Sequence, residues 1–237
     1  MIGVAIPAHN EEACLDACLR SLLRAARHPA LAREPVCVCV VLDACADGSR
    51  AIVAQHQQRF AAAGCVLEWV EIAARRVGAA RALGARRLLE QGARWLAFTD
   101  ADTRVGPGWL AAQLAQDADV VCGSVAVDDW SPHAGMAAAL REQFVRDYQD
   151  RDGHRHIHGA NLGVSAEAYM AAGGFAAVDC HEDVMLVRAL EHIGARFAWS
   201  AAPRVFTSAR VDARARGGFG DTLAALSACL HPCLGSP

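Results

Sequence analysis

Short apolar runs alternate with helix-patterned segments four times over roughly the first hundred residues of this 237-residue chain. The second run reads Val-Cys-Val-Cys-Val-Val-Leu, which is typical of a strand buried on both faces of a parallel sheet. A helix between two strands brings them into one sheet as parallel neighbours. The alternation therefore predicts an α/β fold in which a mostly parallel, doubly wound sheet is flanked by helices. The four predicted strands cover residues 2–6, 36–42, 66–72 and 95–98.

The remainder of the chain is less regular, but no repeat or linker-like segment interrupts it. We therefore predict a single domain over residues 1–237, with a regular half over about 1–102 and an irregular half over about 103–237. The elements predicted for the irregular half are a helix from Pro107 to Gln116, a strand over 119–127, a helix over 134–150, a short helix capped by Ser165, a helix over 182–193 and two short strands near Phe197 and Val205.

Polar side chains collect where the predicted strands end. In a doubly wound sheet the ligand binds outside the carboxyl ends of the strands. Polar residues scattered over a surface would not gather at these ends, so their positions predict one binding site along this edge of the sheet. They are His9, Asn10 and Glu11 after the first strand, Asp43 and Asp47 after the second, and Asp100 and Asp102 after the fourth.

The two aspartates after the fourth strand carry the most specific chemistry. Asp100 and Asp102 are separated by one residue, and side chains two apart in an extended chain point the same way. Two carboxylates at a strand end suit a divalent cation that also holds phosphate oxygens of a substrate. A surface turn with two solvated aspartates has the same spacing. The pair therefore predicts a metal site only if the chain also binds a nucleotide nearby.

The composition excludes several other classes of protein. A net charge of -3 gives no basic surface for nucleic acid, and the absence of lysine excludes a lysine Schiff base and a P-loop lysine. No apolar run reaches the ~18 residues of a membrane-spanning helix, and residues 1–7 lack the basic start of a signal peptide. We expect a cytoplasmic protein with no transmembrane segment, and leave peripheral contact with a membrane open. The ten cysteines lack zinc-site spacing and are expected to be buried thiols.

Six short segments stand in order around the Asp-x-Asp strand, at residues 6–12, 43–49, 78–85, 159–161, 173–175 and 181–183. Each is a weak signal alone, but the ordered set resembles family 2 of the glycosyltransferases. The resemblance runs over about residues 2–221. It implies a fold of the GT-A type, in which helices flank a Rossmann-like, mostly parallel sheet.

The resemblance also implies an activity, which is the transfer of a sugar from a nucleotide-diphospho-sugar to an acceptor hydroxyl with inversion. Mg or Mn would bridge the diphosphate, the first half of the chain would bind the nucleotide, and the second half would bind the acceptor. Asp183 would be the catalytic base, with its neighbour Glu182 the less favoured candidate, and Asp102 would ligate the metal directly. The residues implied to line the donor site are Pro7, His9, Asn10, Glu11, Asp43, Arg81 and Asp100, the last of which also lies towards the metal.

Elementary chemistry agrees with this set of residues. Transfer needs a cation on the leaving diphosphate and one carboxylate that deprotonates the attacking hydroxyl.

Since the family's polymer synthases carry transmembrane helices and an acceptor-channel motif, which are missing here, a non-processive enzyme is expected. The resemblance places 159–161 and 173–174 on the sugar and acceptor side.

Several alternatives stay open from the sequence. The chain could be a nucleotidyltransferase, or a sugar-nucleotide-binding module without activity. The acceptor could be a small molecule, a lipid-linked molecule or a protein. The alternating histidines could bind a metal or form a solvated loop, and the arginines near the C-terminus could close over the diphosphate or be surface charge. These residues are His154, His156, His158, Arg210, Arg214 and Arg216.

Overall fold

The computed structural model describes residues 1–211, in which α-helices flank one eight-stranded sheet. None of these described helices is long and apolar enough to cross a bilayer. The strands are β1 (Ile2–Ala8), β2 (Val36–Asp43), β3 (Val66–Ile72), β4 (Trp95–Phe98), β5 (Arg104–Val105), β6 (Val120–Ala126), β7 (Leu162–Ser165) and β8 (Phe197–Phe206). The helices are α1 (Leu15–Ala26), α2 (Ser49–Ala62), α3 (Val77–Glu90), α4 (Trp109–Leu114), α5 (Ala137–Asp147), α6 (Ala166–Ala171) and α7 (Glu182–His192).

The sheet has the strand order β3-β2-β1-β4-β7-β6-β8-β5, and most of its strands point in one direction. Neighbouring strands are parallel from β3 through β4 and again between β6 and β8, whereas β7 and β5 run the opposite way. The predicted fold, a mostly parallel α/β sheet flanked by helices, is therefore confirmed. Because β1, β2 and β4 end at the edge where the reversed β7 begins, the loops at these points converge.

Two apolar cores hold the helices against the two faces of the sheet. β2 is buried along its whole length, because Val38 and Val40 enter the core that contains α1 and α2, whereas Cys39 and Val41 enter the core that contains α3. On β1, a Cβ at Gly84 of α3 would lie 3.0 Å from the Ala5 Cβ. The glycine therefore lets α3 lie directly on β1, which brings the first turns of α3 beneath the converging loops.

Three strands differ from the prediction. β5 was not predicted; it has two residues and is specified by pairing with β8. β7 was not predicted, because its four residues, Leu-Gly-Val-Ser, are too few to show a strand pattern. It is specified by pairing with β4 on one side and β6 on the other. The two short strands predicted near Phe197 and Val205 are a single strand, β8, whose pairing with β6 shifts register between Gly123 and Val125. The short helix predicted after Ser165 is present as α6, and the Ser165 hydroxyl accepts the Ala168 N–H at its start.

The cysteines of the described part of the chain are free thiols. Cys18, Cys37, Cys39, Cys65 and Cys122 are buried, as predicted, whereas Cys14, Cys45 and Cys180 are only partly buried. Burial, helped by the charge of Glu68, raises the pKa of the Cys37 and Cys39 thiols to about 12. These two thiols are therefore protonated and unreactive at neutral pH.

Candidate active site

The loops that follow β1 and β2 are joined by hydrogen bonds from residues predicted to bind the donor. His9 Nδ1 donates to the Asp43 carbonyl oxygen over 2.6 Å, and Asn10 Oδ1 accepts the Ala46 N–H over 2.7 Å. Asn10 itself has a φ of 54°, in the left-handed region that asparagine tolerates better than most residues. Pro7 lies half-buried at the end of β1. These contacts hold the two loops side by side at the sheet edge.

The Asp43 carboxylate is buried and holds the loop between β3 and α3. Its Oδ1 accepts the N–H groups of Ala74 and Arg75, each over 2.8 Å, and its Oδ2 accepts the Arg76 N–H over 2.9 Å. Three N–H donors to one carboxylate form a strong, charge-assisted set that shapes the loop. Arg75 lies at a φ of 50°, and its side chain is exposed at the same edge. The contact of Asp43 with a nucleotide base stays a prediction.

Glu11 and Asp102 meet at the guanidinium of Arg210, beyond the end of β8. Arg210 donates to both Glu11 oxygens over 2.7 and 2.8 Å, and its Nη2 lies 3.0 Å from Asp102 Oδ2. Burial raises the pKa of Asp102 to about 6, assisted by the charges of Asp100 and Glu11 and opposed by Arg210. Burial thus outweighs the pull of the nearby guanidinium on the Asp102 carboxylate. The pairing of Arg210 with these two acids was not predicted.

Asp100 and Glu182 meet at a second guanidinium, that of Arg81 on α3. Arg81 Nη2 donates to Asp100 Oδ1 over 2.5 Å, and its Nη1 donates to Glu182 Oε1. Burial acts to lower the pKa of Arg81, but the charges of Asp100, Glu182 and Asp183 outweigh it and raise that pKa. Glu182 is only 4% exposed, and burial raises its pKa against the pull of Arg81. The place of Arg81 in the lining of the donor site stays a prediction.

Asp183 lies next to this cluster in the first turn of α7, and backbone N–H groups orient its carboxylate. Its Oδ2 accepts the Gly159 N–H over 2.8 Å, and its Oδ1 accepts the Val184 N–H over 2.8 Å. Anions are stabilised at a helix N-terminus by the helix dipole. His181 precedes the helix with a φ of 60°. Asp183 is half-buried, so it is more accessible than its neighbour Glu182.

The rings of the three alternating histidines stack with one another and with Tyr148. They therefore do not form the solvated loop that was one of the two alternatives from the sequence. The ring centroids of Tyr148 and His156 are 4.1 Å apart, and His154 is fully buried. Tyr148 Oη accepts the Val125 N–H, so its one proton is available to His158 Nε2, 3.0 Å away. Burial, with the neighbouring histidines, lowers the pKa of His158 to about 4, so it is neutral at pH 7.

Asn161 has a structural role that the sequence did not indicate. Its Oδ1 accepts the Trp109 indole N–H over 2.9 Å, and its Nδ2 donates to the carbonyl oxygens of Ser124, over 2.8 Å, and Pro203. The amide is fully buried and joins β6, β8 and α4 at the start of β7. A buried amide with its partners in place specifies one packing arrangement. Gly159, two residues earlier, is the member of this segment that reaches the candidate active site.

The carboxylate oxygens of Asp100 and Asp102 are ligands of the kind that a divalent cation prefers. Over residues 1–211, no group of three or more His, Cys, Asp or Glu side chains could hold a metal by itself. Mg²⁺ is usually held by one or two carboxylates, with substrate phosphates and water completing its shell. Asp102 Oδ2 already faces a positive group, the guanidinium of Arg210. Two carboxylates that attract a cation, without a complete cage, therefore match an ion that arrives with a phosphate ligand.

Comparisons with known proteins agree with this geometry. The sequence model of "Glycosyl transferase family 2" matches residues 3–172, which is more than half of the chain. A search of curated protein sequences finds no match.

Several of the similar solved structures carry a nucleotide or a nucleotide sugar. TarS 1–349 of S. aureus in complex with UDP-GlcNAc has a TM-score of 0.67 at 14% identity, covering 96% of this chain and 65% of the TarS 1–349 chain. The mannosyltransferase PcManGT of Pyrobaculum calidifontis, in complex with GDP-Man and Mn²⁺, has a TM-score of 0.62 at 17% identity, covering 100% of this chain and 76% of PcManGT. GalNAc-T7 with UDP, GalNAc and Mn²⁺ has a TM-score of 0.63 at 14% identity, covering 90% of this chain and 44% of GalNAc-T7.

At these identities the structural similarity establishes the fold. The chain spans less than two thirds of the TarS chains that it matches, covering 61% of the one bound to UDP.

Proposed function

Because this chain belongs to glycosyl transferase family 2, we propose that it transfers a sugar from a nucleotide-diphospho-sugar to an acceptor hydroxyl, with inversion at the anomeric carbon. The observation that carries this proposal is the guanidinium of Arg81, which joins Asp100 to Glu182, the neighbour of Asp183. One cluster therefore contains a residue predicted to lie at the metal and borders the residue predicted to take the proton.

The donor nucleotide would bind along the edge formed by the loops after β1 and β2. His9 and Asn10 join these loops, and Asp43 holds the next loop so that the exposed cation of Arg75 stands at the same edge. Pro7 and Glu11 complete the proposed lining. The nucleotide sugars in the TarS and PcManGT structures support a donor of this class. The base and the sugar of the donor are left open.

Asp102, with Asp100 beside it, would hold a divalent cation on the donor diphosphate. When bound, Mg²⁺ or Mn²⁺ would act as a Lewis acid that stabilises the charge of the leaving diphosphate. The Mn²⁺ of the PcManGT and GalNAc-T7 structures supports this assignment.

Asp183 is the better candidate for the base. Glu182 is buried and paired with Arg81, whereas Asp183 is half-buried and is oriented by two backbone N–H groups. Asp183 would take the proton of the acceptor hydroxyl as that oxygen forms its bond to the anomeric carbon. The bond from this carbon to the diphosphate oxygen breaks at the same time, and the nucleoside diphosphate leaves with the electron pair. One carboxylate is enough, since no leaving oxygen needs to be protonated.

The second half of the chain would bind the acceptor. The ends of β6 and β8 and the start of β7 lie beside the donor edge. Gly159 lies just before β7, and its N–H contacts the proposed base, Asp183, in the first turn of α7. We propose a non-processive, cytoplasmic enzyme in which residues 1–237 act as one domain.

The test is the release of nucleoside diphosphate from a panel of UDP-, GDP- and dTDP-sugars with Mn²⁺, comparing Asp183→Asn with Asp179→Asn. Asp179 lies four residues earlier, and its side chain is 82% exposed, so it is a matched control for the loss of a carboxylate. We expect Asp183→Asn to lower transfer on the order of 10²–10⁴-fold while nucleotide binding persists, and Asp179→Asn to resemble wild type.

Other outcomes would overturn parts of this proposal. Full transfer by Asp183→Asn would remove Asp183 as the base. Release of pyrophosphate would indicate a nucleotidyltransferase, and calorimetric binding of nucleotide without turnover on any donor would indicate a binding module. Equal activity after chelation of divalent ions would remove the metal from the mechanism.

A further inference from the structure

Arg81 is a buried cation, with only 4% of its surface exposed, in the first turns of α3. Arginine is almost never fully buried unless it is paired. The first turns of α3 lie beneath the converging loops because Gly84 allows this helix to lie on β1. The surroundings of Arg81 therefore indicate what its charge does in the candidate active site.

The two terminal nitrogens of Arg81 bond to carboxylates from distant parts of the chain. Nη2 donates to Asp100, in the loop after β4, and Nη1 donates to Glu182, at the start of α7. A planar guanidinium holds two carboxylates at a fixed separation and angle, which a lysine ammonium cannot do because it is a point charge on a flexible stem. Arg81 thus sets the position of α7 relative to the loop that carries the predicted metal ligands.

Gly159 extends this arrangement to Asp183. A Cβ at Gly159 would lie 2.3 Å from Arg81 Nη1 and 2.4 Å from its Cζ, so the glycine backbone lies directly against the guanidinium. The N–H of the same glycine donates to Asp183 Oδ2 over 2.8 Å. The Phe175 ring centroid lies 6.0 Å from the Arg81 Cζ. A change in the guanidinium would therefore move the N–H that orients Asp183.

We propose that Arg81 is a positioning residue for sugar transfer, which fixes Asp100, Glu182 and, through Gly159, Asp183 relative to one another without binding the diphosphate. This inference rests on the proposed function. In the described structure both terminal nitrogens are engaged, and the Nε is enclosed without a hydrogen-bond partner. A phosphate could reach Arg81 only by breaking a buried ion pair, which leaves a carboxylate uncompensated at low dielectric.

The test compares Arg81→Lys and Arg81→Met with Arg86→Lys, a control at an exposed position of the same helix. The measurements are kcat and KM for transfer, and the Kd for nucleoside diphosphate with Mn²⁺ by calorimetry. We expect Arg81→Lys to lower kcat on the order of 10²-fold, because a misplaced carboxylate costs about that much. We expect the Kd to stay within about 3-fold of wild type, a difference below 1 kcal/mol. Arg81→Met is expected to lose more kcat than Arg81→Lys.

A second variant keeps the proposal testable if the Arg81 variants do not fold. Glu182→Gln removes one charge from the cluster and leaves Arg81 in place, and we expect kcat to fall while the Kd for nucleotide is kept. If Arg81→Lys kept the wild-type kcat but bound nucleotide at least 10-fold more weakly, Arg81 would be a diphosphate ligand instead. Parallel losses of kcat, nucleotide affinity and thermal stability would make its role structural only.

These failures are distinct from a failure of the proposed function. If wild-type protein transfers no sugar from any donor, both proposals fall together. If wild type is active and Arg81→Lys matches it in kcat and Kd, the positioning role alone falls.

Discussion

Two arginines each hold two carboxylates of the candidate active site, and they differ in how much water reaches them. The side chain of Arg81 is 5% exposed, whereas that of Arg210 is 24% exposed. Arg81 extends from α3, which packs against β1 and β2 in the regular half of the sheet. Arg210 follows β8, and its neighbour Ala209 packs into a small separate cluster with Trp130.

The difference indicates which of the two arginines can be displaced. Removing one partner of a buried ion pair costs about 3–5 kcal/mol, whereas exposed pairs contribute about 0–1 kcal/mol. Arg81 is therefore fixed in place, whereas Arg210 is partly open to water, so another cation can replace it more readily at its two carboxylates. Since Arg210 contacts Asp102 Oδ2, it neutralises the residue proposed to bind the metal. The buried arginine organises the site, and the accessible one competes for it.

The largest expected effect comes from filling the space beside the buried arginine. Gly159→Ala would place a methyl group within 2.4 Å of the Arg81 Cζ, so the guanidinium or the backbone must move. We expect transfer to fall on the order of 10²-fold and the free energy of unfolding to fall by about 1–3 kcal/mol. Steady-state kinetics and urea denaturation would measure both. Gly135→Ala is the control, since no heavy atom lies within 4 Å of a Cβ there. If the two variants had the same transfer activity and the same free energy of unfolding, the tight packing around Arg81 would be contradicted.

A smaller effect is expected from the pH dependence of the free energy of unfolding. His158, which is next to Gly159, is the group that we expect to cause it. Burial and the neighbouring His156 lower the pKa of His158 to about 4. Between pH 6.5 and 4 the unfolded chain therefore takes up a proton that the folded chain refuses, so stability falls as the pH falls. We expect His158 to contribute about 2 kcal/mol to a loss in the free energy of unfolding between pH 7.5 and pH 5.

Urea denaturation at both pH values would measure this loss. His158→Gln keeps an oxygen that can accept a hydrogen bond from the Tyr148 hydroxyl. This variant should reduce the difference in the free energy of unfolding between the two pH values. His192→Gln, at an exposed position, should keep the wild-type difference. If His158→Gln kept the full wild-type difference in the free energy of unfolding, the titrating group would be a residue other than His158.

The smallest effect is expected at the accessible arginine. Arg210→Gln removes the cation that competes at Asp102, so Mn²⁺ alone should bind the nucleotide-free protein up to about 5-fold more tightly. The free energy of unfolding should fall by about 1–2 kcal/mol, between the values for exposed and buried pairs, because Arg210 is partly exposed while Glu11 and Asp102 are largely buried. Calorimetry or the Mn²⁺ paramagnetic signal would measure binding. Arg204→Gln, which loses an exposed pair with Asp150, is the control. Weaker Mn²⁺ binding by Arg210→Gln would mean that Arg210 assists the metal site instead of competing.

The fold and the sheet edge at which the polar residues collect were predictable because they follow from local patterns. The run over 36–42 is buried on both faces, and the polar residues after β1, β2 and β4 lie at one edge because parallel strands end together. β7 was missed because its register with β4 and β6 is set by its neighbours and not by its own four residues. Arg214 and Arg216, proposed with Arg210 as a cover for the diphosphate, lie outside the described residues.

The sequence by itself determined the alternation of strands and helices in the first half, the edge at which polar residues collect and the family to which the chain belongs, since hydrophobic periodicity and short motifs are local properties. Only the tertiary structure decided which charges meet. Arg81 and Glu182 are 101 positions apart, and Arg210 and Glu11 are 199 positions apart. In the sequence these arginines are equivalent cations. Packing buries one and leaves the other accessible to water, and the local dielectric then separates a fixed ion pair from an exchangeable one.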